Sequence, residues 1–135
     1  MTATTLEEAI ALNQRALDTM LKGSGQGYAA LLSDRDDVSW GNPFGPFAVG
    51  REQVEAALAR AAANFREGAA TDFERVAAYV ADNLAVIVEV ERGHVKFGGA
   101  DDSSPAALRV TTVFRLEGED WKVVHRHADP VPPQA

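Results

Sequence analysis

The stretch RVTTVFRLEGEDWKVVHRHAD, residues 109–129, decides the fold. Val110, Thr112 and Phe114 alternate with Thr111, Val113 and Arg115, the two-residue period of a strand with one buried face. Gly118-Glu119-Asp120 has the composition of a turn, and Trp121 resumes an extended, β-branched pattern, so the stretch predicts a hairpin. Working upstream, the same texture predicts strands over 72–81, 84–92 and 106–117, followed by the last strand over 121–129. Before them, spacings of three and four predict helices over 6–22 and 51–66, with a short one over 28–32. Thr5 and Glu8 form a capping-box pattern, Gly68 is expected to close the third helix, and Val38-Ser39-Trp40 begins a short strand that Pro43 and Pro46 keep from becoming helical. The order is ααβαββββ: an α+β domain over residues 1–129, three helices on one face of a curved antiparallel sheet, with a Pro-rich tail over 130–135.

Composition narrows the partners. The chain has 135 residues, 13 basic and 20 acidic, a net charge of −7, and its cations are scattered, so the footprint that neutralises a phosphate backbone is missing and nucleic acid is not an expected partner. The longest apolar run, residues 76–81, has six members against the roughly 20 that span a bilayer, so no membrane partner is expected either. Glu7 and Glu8 stand where a signal peptide would be basic, so the N-terminus reads as folded protein. The absence of cysteine removes thiol nucleophiles and Cys-based zinc sites and fits a cytoplasmic location.

The segment Asp37-Val38-Ser39-Trp40-Gly41-Asn42-Pro43-Phe44-Gly45, the helix start Val49-Gly50-Arg51-Glu52, and the closing strands with Trp121 and the paired histidines together resemble the NTF2-like superfamily, and within it the SnoaL-like proteins. The resemblance covers nearly the whole chain. It implies a conical α+β barrel with a pocket between the first helices, the loop after the first strand and the concave sheet face, and homodimers joined through the sheet. Members with ketosteroid isomerase activity use a Tyr and two Asp residues; the matching places here hold Ala16, Thr112 and Asn42, which lack that chemistry.

His125 and His127 lie two apart on the last strand and so share one face with Trp121 and Val123, in line with Asp129. If that face is concave, the imidazoles are the catalytic candidates, able to take or give a proton in the pocket. A bulge in the 118–120 turn would flip the parity and put Arg126 inside instead. The NTF2-like cone would place Tyr28, Trp40, Asn42, Phe44 and Phe47 at the pocket mouth, with Thr112 facing them from the sheet, and these residues and Asp129 are the candidate ligand-binding set. The competing reading is that the aromatics fill the core. Glu89 and Glu91 alternate with valines and are expected on a solvated edge. A His-x-His metal site completed by Asp129, Glu89 or His94 is a weaker reading, so no metal and no cofactor is expected.

Two functions follow. One is a homodimeric domain that binds a small, largely apolar organic molecule, with any catalysis being acid–base work by His125 or His127. The other is a non-catalytic assembly domain with a filled core.

Overall fold

Thr5 caps the first helix as its position predicts. Its hydroxyl accepts from the Glu8 N–H at 3.1 Å and donates to the Glu8 carboxylate at 3.1 Å in the computed structural model, which describes residues 3–43 and 45–131. This helix, α1 (Leu6–Leu21), buries Ile10, Leu17 and Met20 along one stripe and ends where Gly23 adopts a φ of +105°. α2 (Gln26–Leu31) folds back on it, close enough that a Cβ at Gly27 would lie 3.3 Å from the Ala16 Cα.

The chain then enters the sheet through the antiparallel pair β1 (Ser39–Gly41) and β2 (Ala48–Val49). β2 is an addition to the predicted order, because a two-residue strand is too short for alternation to register. Residues 34–37, all charged, are exposed but tied down. Asp36 accepts from the Arg51 N–H at 3.0 Å and supplies the helix cap that Gly50 cannot, while the Arg115 guanidinium holds Asp37 at 2.8 and 3.0 Å.

α3 (Arg51–Ala63) ends three residues before the expected 66, and β3 (Phe65–Val80) starts at once. Phe65, which fits the helical spacing four residues after Ala61, is equally buried as the first residue of the strand, where its ring meets Phe97 edge-on with centroids 5.7 Å apart. Gly68 does not close a helix. It lies inside β3, where a Cβ would stand 2.6 Å from the His94 carbonyl oxygen and 2.8 Å from that of Leu21. β4 (Leu84–Phe97), β5 (Ser104–Glu117) and β6 (Asp120–Pro130) complete a six-stranded sheet in the order β2-β1-β6-β5-β4-β3.

The α+β class holds, with order ααββαββββ, and the sheet is mixed rather than antiparallel throughout because β1 runs parallel to β6. Register shifts along β3 between Arg66 and Ala69, Ala70 and Asp72, and Arg75 and Ala77 curve it around the helices. Pro130, expected to begin a tail, is the last residue of β6. It faces Leu108 of β5, and pairing with β1 on the other side has already ended at His127, so its missing N–H leaves no ladder bond unmade. The Val131 N–H still donates to the Ala107 carbonyl at 3.0 Å; residues 132–135 are outside those described.

The pairing of β5 with β6 contains the detail on which the site turns. Phe114 faces Val123 and Val113 faces His125, leaving Val124 without a partner. This is a bulge, and it reverses the parity of the strand beyond it. Trp121 and Val123 are buried before it; Arg126 and Ala128 are buried after it. The alternation carried forward from Trp121 placed His125 and His127 inside the cone. The structure corrects this: both imidazoles stand on the convex face, and the Arg126 side chain, 4% exposed, occupies the interior.

Candidate functional site

β4 is flanked by β3 and β5, so it is not the solvated edge that its glutamates suggested. Ile87, Glu89 and Glu91 point inward and are buried, while Val86, Val88 and Val90 are half-buried on the outer face. Inside the cone Arg126 and Glu91 form a two-pronged pair: Nη1 donates to Oε2 and Nη2 to Oε1, each at 2.8 Å. The guanidinium carbon lies 5.3 Å from the Tyr28 ring centroid and 5.6 Å from that of Trp40, and these two rings meet edge-on at 5.2 Å. Burial opposes the charge on Arg126, but the carboxylate of Glu91 outweighs it and keeps the guanidinium firmly protonated.

A second buried carboxylate, Glu89, accepts from Arg75 Nε at 3.1 Å and from Gln14 Nε2 at 3.3 Å. Thr112 is buried on the neighbouring strand, as its alternation predicts. The Tyr28 hydroxyl and Asn13 Oδ1 are buried and find no hydrogen-bond partner among the described residues. Burial also raises the Tyr28 phenol above its ordinary range, so that hydroxyl is neutral and still holds a proton to donate.

The interior opens at the wide end. A cavity of about 40 Å³ lies between Leu17, Met20, Phe65, Leu108 and Trp40, with Arg126 at its inner end. Such a volume holds water or the slim end of a molecule. A cleft of about 160 Å³ adjoins it between α3 and the loop after β1, and the two share Trp40, Asn42 and Ala61 as walls.

The residues proposed from sequence therefore divide. Tyr28, Trp40 and Thr112 are buried in the cone, and Asn42 lies at its mouth. Phe44 is outside the described residues. Phe47 is not at the pocket mouth: it is 61% exposed and lies over Gly41 and the His127 ring, at 5.6 Å, on the outer face. Asp129 is also outside, paired with Arg109 at 3.0 and 2.7 Å. His125 is half-buried with Nδ1 2.8 Å from Ser39 Oγ, and His127 is exposed. From the sequence Arg126 is only the alternative to the histidines, Glu89 and Glu91 are expected on a solvated edge, and Asn13 is missed. The signal for Arg126 was the consecutive pair Val123-Val124, which breaks the alternation where the bulge occurs. His94 is exposed near Ser103, and among the described residues no cluster of His, Asp or Glu could hold a metal ion. No helix among them is long and apolar enough to cross a membrane.

A family model described as the SnoaL-like domain matches residues 10–132. Solved structures share the fold. An NTF2-like superfamily protein from Salmonella enterica has a TM-score of 0.78 at 17% identity, over 95% of this chain and 89% of its own. A ketosteroid isomerase-like protein from Erwinia carotovora atroseptica scores 0.77 at 15% identity, over 95% of both chains. A protein with a cystatin-like fold from Caulobacter vibrioides scores 0.69 at 20% identity, over 95% of this chain and 88% of its own. Among curated proteins no sequence matches this chain.

Removing one member of a buried ion pair strands the other. Arg126→Met should therefore lower unfolding stability in urea by about 3–5 kcal/mol, and Glu91→Met combined with it should restore at least half of that loss. On the outer face, burial and the adjacent His127 hold the His125 imidazole below its ordinary 6.5, with the Ser39 contact acting the other way. Below 6.5 the unfolded chain takes up a proton that the folded chain still refuses, so this contribution to stability is complete above that pH and declines as pH falls. Thermal denaturation from about pH 8 to about pH 5.5 should show the decline, and His125→Gln should flatten it.

Proposed function

Because the chain belongs to the SnoaL-like domain family, we propose that it binds a small, largely apolar organic molecule at the wide end of the cone. The observation that carries this reading is the common wall of Trp40, Asn42 and Ala61, which makes the outer cleft and the inner cavity adjoining parts of one recess. Apolar side chains line the inner part, and the polar group at its end, Arg126, is already neutralised by Glu91. A ligand entering there gains apolar contact without having to desolvate an uncompensated charge.

The reading is one of binding. His125 and His127, the candidates for acid–base work, face away from the recess, and the buried carboxylates Glu91 and Glu89 are engaged by Arg126 and Arg75. The test is fluorine NMR of protein carrying 5-fluorotryptophan, titrated with hexan-1-ol and hexanamide. The Trp40 resonance should shift saturably while that of Trp121 stays, and Ala61→Leu should abolish the shift without lowering the melting temperature. An unmoved Trp40 resonance with every probe would favour the filled-core assembly domain.

A separate observation supports a partner. The convex face carries an unbroken row from Tyr79 through Val86, Val113 and His125 to Ser39 and Val49, with Val88 and Thr111 in the next row. Tyr79 and Val49 are 64% and 59% exposed, and Phe47 stands beside them. Two rows without a Lys, Arg or carboxylate, on a chain with seven excess negative charges, suit a second copy of itself. Sedimentation equilibrium should give twice the 14.4 kDa chain mass, and Val88→Glu should return the single mass. A wild-type protein that sediments at the single mass would exclude the dimer.

A further inference from the structure

Of the thirteen basic side chains, ten are paired with a carboxylate, and Arg15, Arg60 and Lys122 have no such pair among the described residues. In a chain with excess acid an unmatched arginine is notable for where it stands. Arg60 lines the outer cleft with Trp40, Asn42 and Asn64. Its neighbours one helical turn away on α3 are Ala56, Ala57, Ala63 and Asn64, so its own helix offers it no acid. A cation in the last turn of α3 complements the helix dipole, but exposed positions 59 and 63 would serve that purpose equally and hold alanine. Position 60 is the one that borders the cleft.

From this we infer that the ligand is a monocarboxylate with a slim apolar tail, its carboxylate held at the mouth by Arg60 and its tail directed past Trp40 toward Arg126. This rests on the recess being a binding site and adds the chemical class. Two features select that class. The inner cavity is narrow and apolar, and the charge at its end is cancelled by Glu91, so an ionised group gains nothing by going in. At the mouth the planar guanidinium can meet a carboxylate with two parallel hydrogen bonds, and the exposed Asn64 amide lies beside it as a further donor.

The experiment compares hexanoate with hexanamide, which differ in charge and little in shape, by the Trp40 fluorine resonance and by calorimetry. The proteins are wild type, Arg60→Gln and, as a control, Arg15→Gln, which removes the unmatched arginine of the groove between α1 and α2. Wild type should bind hexanoate about tenfold more tightly than hexanamide, with the preference shrinking as salt is added. Arg60→Gln should remove the preference, and Arg15→Gln should keep it. Equal affinity for the two probes, or a preference that survives Arg60→Gln, overturns the carboxylate assignment and leaves the recess intact. Failure of both probes to move Trp40 overturns the recess itself.

Discussion

A single unpaired residue, Val124, sets which side chains of the last strand face the helices. Strand geometry allows no gradual choice between faces: a residue is inside or outside, and one extra residue exchanges the two sets. Before the bulge the buried set is Trp121 and Val123; after it the set is Arg126 and Ala128. The same exchange brings Ser39 of β1 beside His125 and Trp40 beside Arg126, because β1 takes its register from the far half of β6. The contact of the guanidinium with the Tyr28–Trp40 pair and the imidazole–hydroxyl contact on the outer face are thus two results of one irregularity.

Burying an arginine in so small a domain requires compensation, and the cone supplies it from three elements. β4 provides the Glu91 carboxylate, α2 the face of Tyr28, and β1 the face of Trp40. The pair is costly to desolvate and would be matched in stability by apolar residues of similar volume. What it contributes is position. Two parallel hydrogen bonds fix the guanidinium plane, which fixes Trp40, which forms a wall of both the inner cavity and the outer cleft. The geometry of the recess therefore depends on a contact behind it.

The fold was legible because its signals are local and periodic. The Thr5–Glu8 cap, the stripe of α1, the hairpin at 118–120 and the alternation of β5 each need only a few neighbouring residues, and the closing strand resembles its family closely enough to name the cone. The boundary between α3 and β3 failed because Phe65 satisfies two periods, and the cap of α3 left no local signal because Asp36 supplies it from fifteen residues away. The site was legible only in part. Thr112 faces inward as its alternation predicts and Trp40 lines the recess, whereas Tyr28, expected at the pocket mouth, is buried in the core. The histidines were misplaced by extending a period across a bulge, and Glu89 and Glu91 by reading charge as exposure. Their partners, Arg75 and Arg126, lie on other strands, and pairing between strands leaves no periodic mark in the sequence.

The loop from Asn42 to Phe47 connects the two faces of the molecule. Asn42, Gly45 and Pro46 border the cleft, whereas Phe47 turns outward and rests on Gly41, where its ring fills the place a Cβ would take. One short segment thus has an inner end at the recess and an outer end on the sheet. A molecule seated in the cleft and a surface laid over Phe47 would bear on the same few backbone torsions. Thermodynamic linkage then requires that whatever free energy the occupied cleft adds to contact at Phe47, contact at Phe47 adds to occupancy of the cleft, with the same sign and the same size.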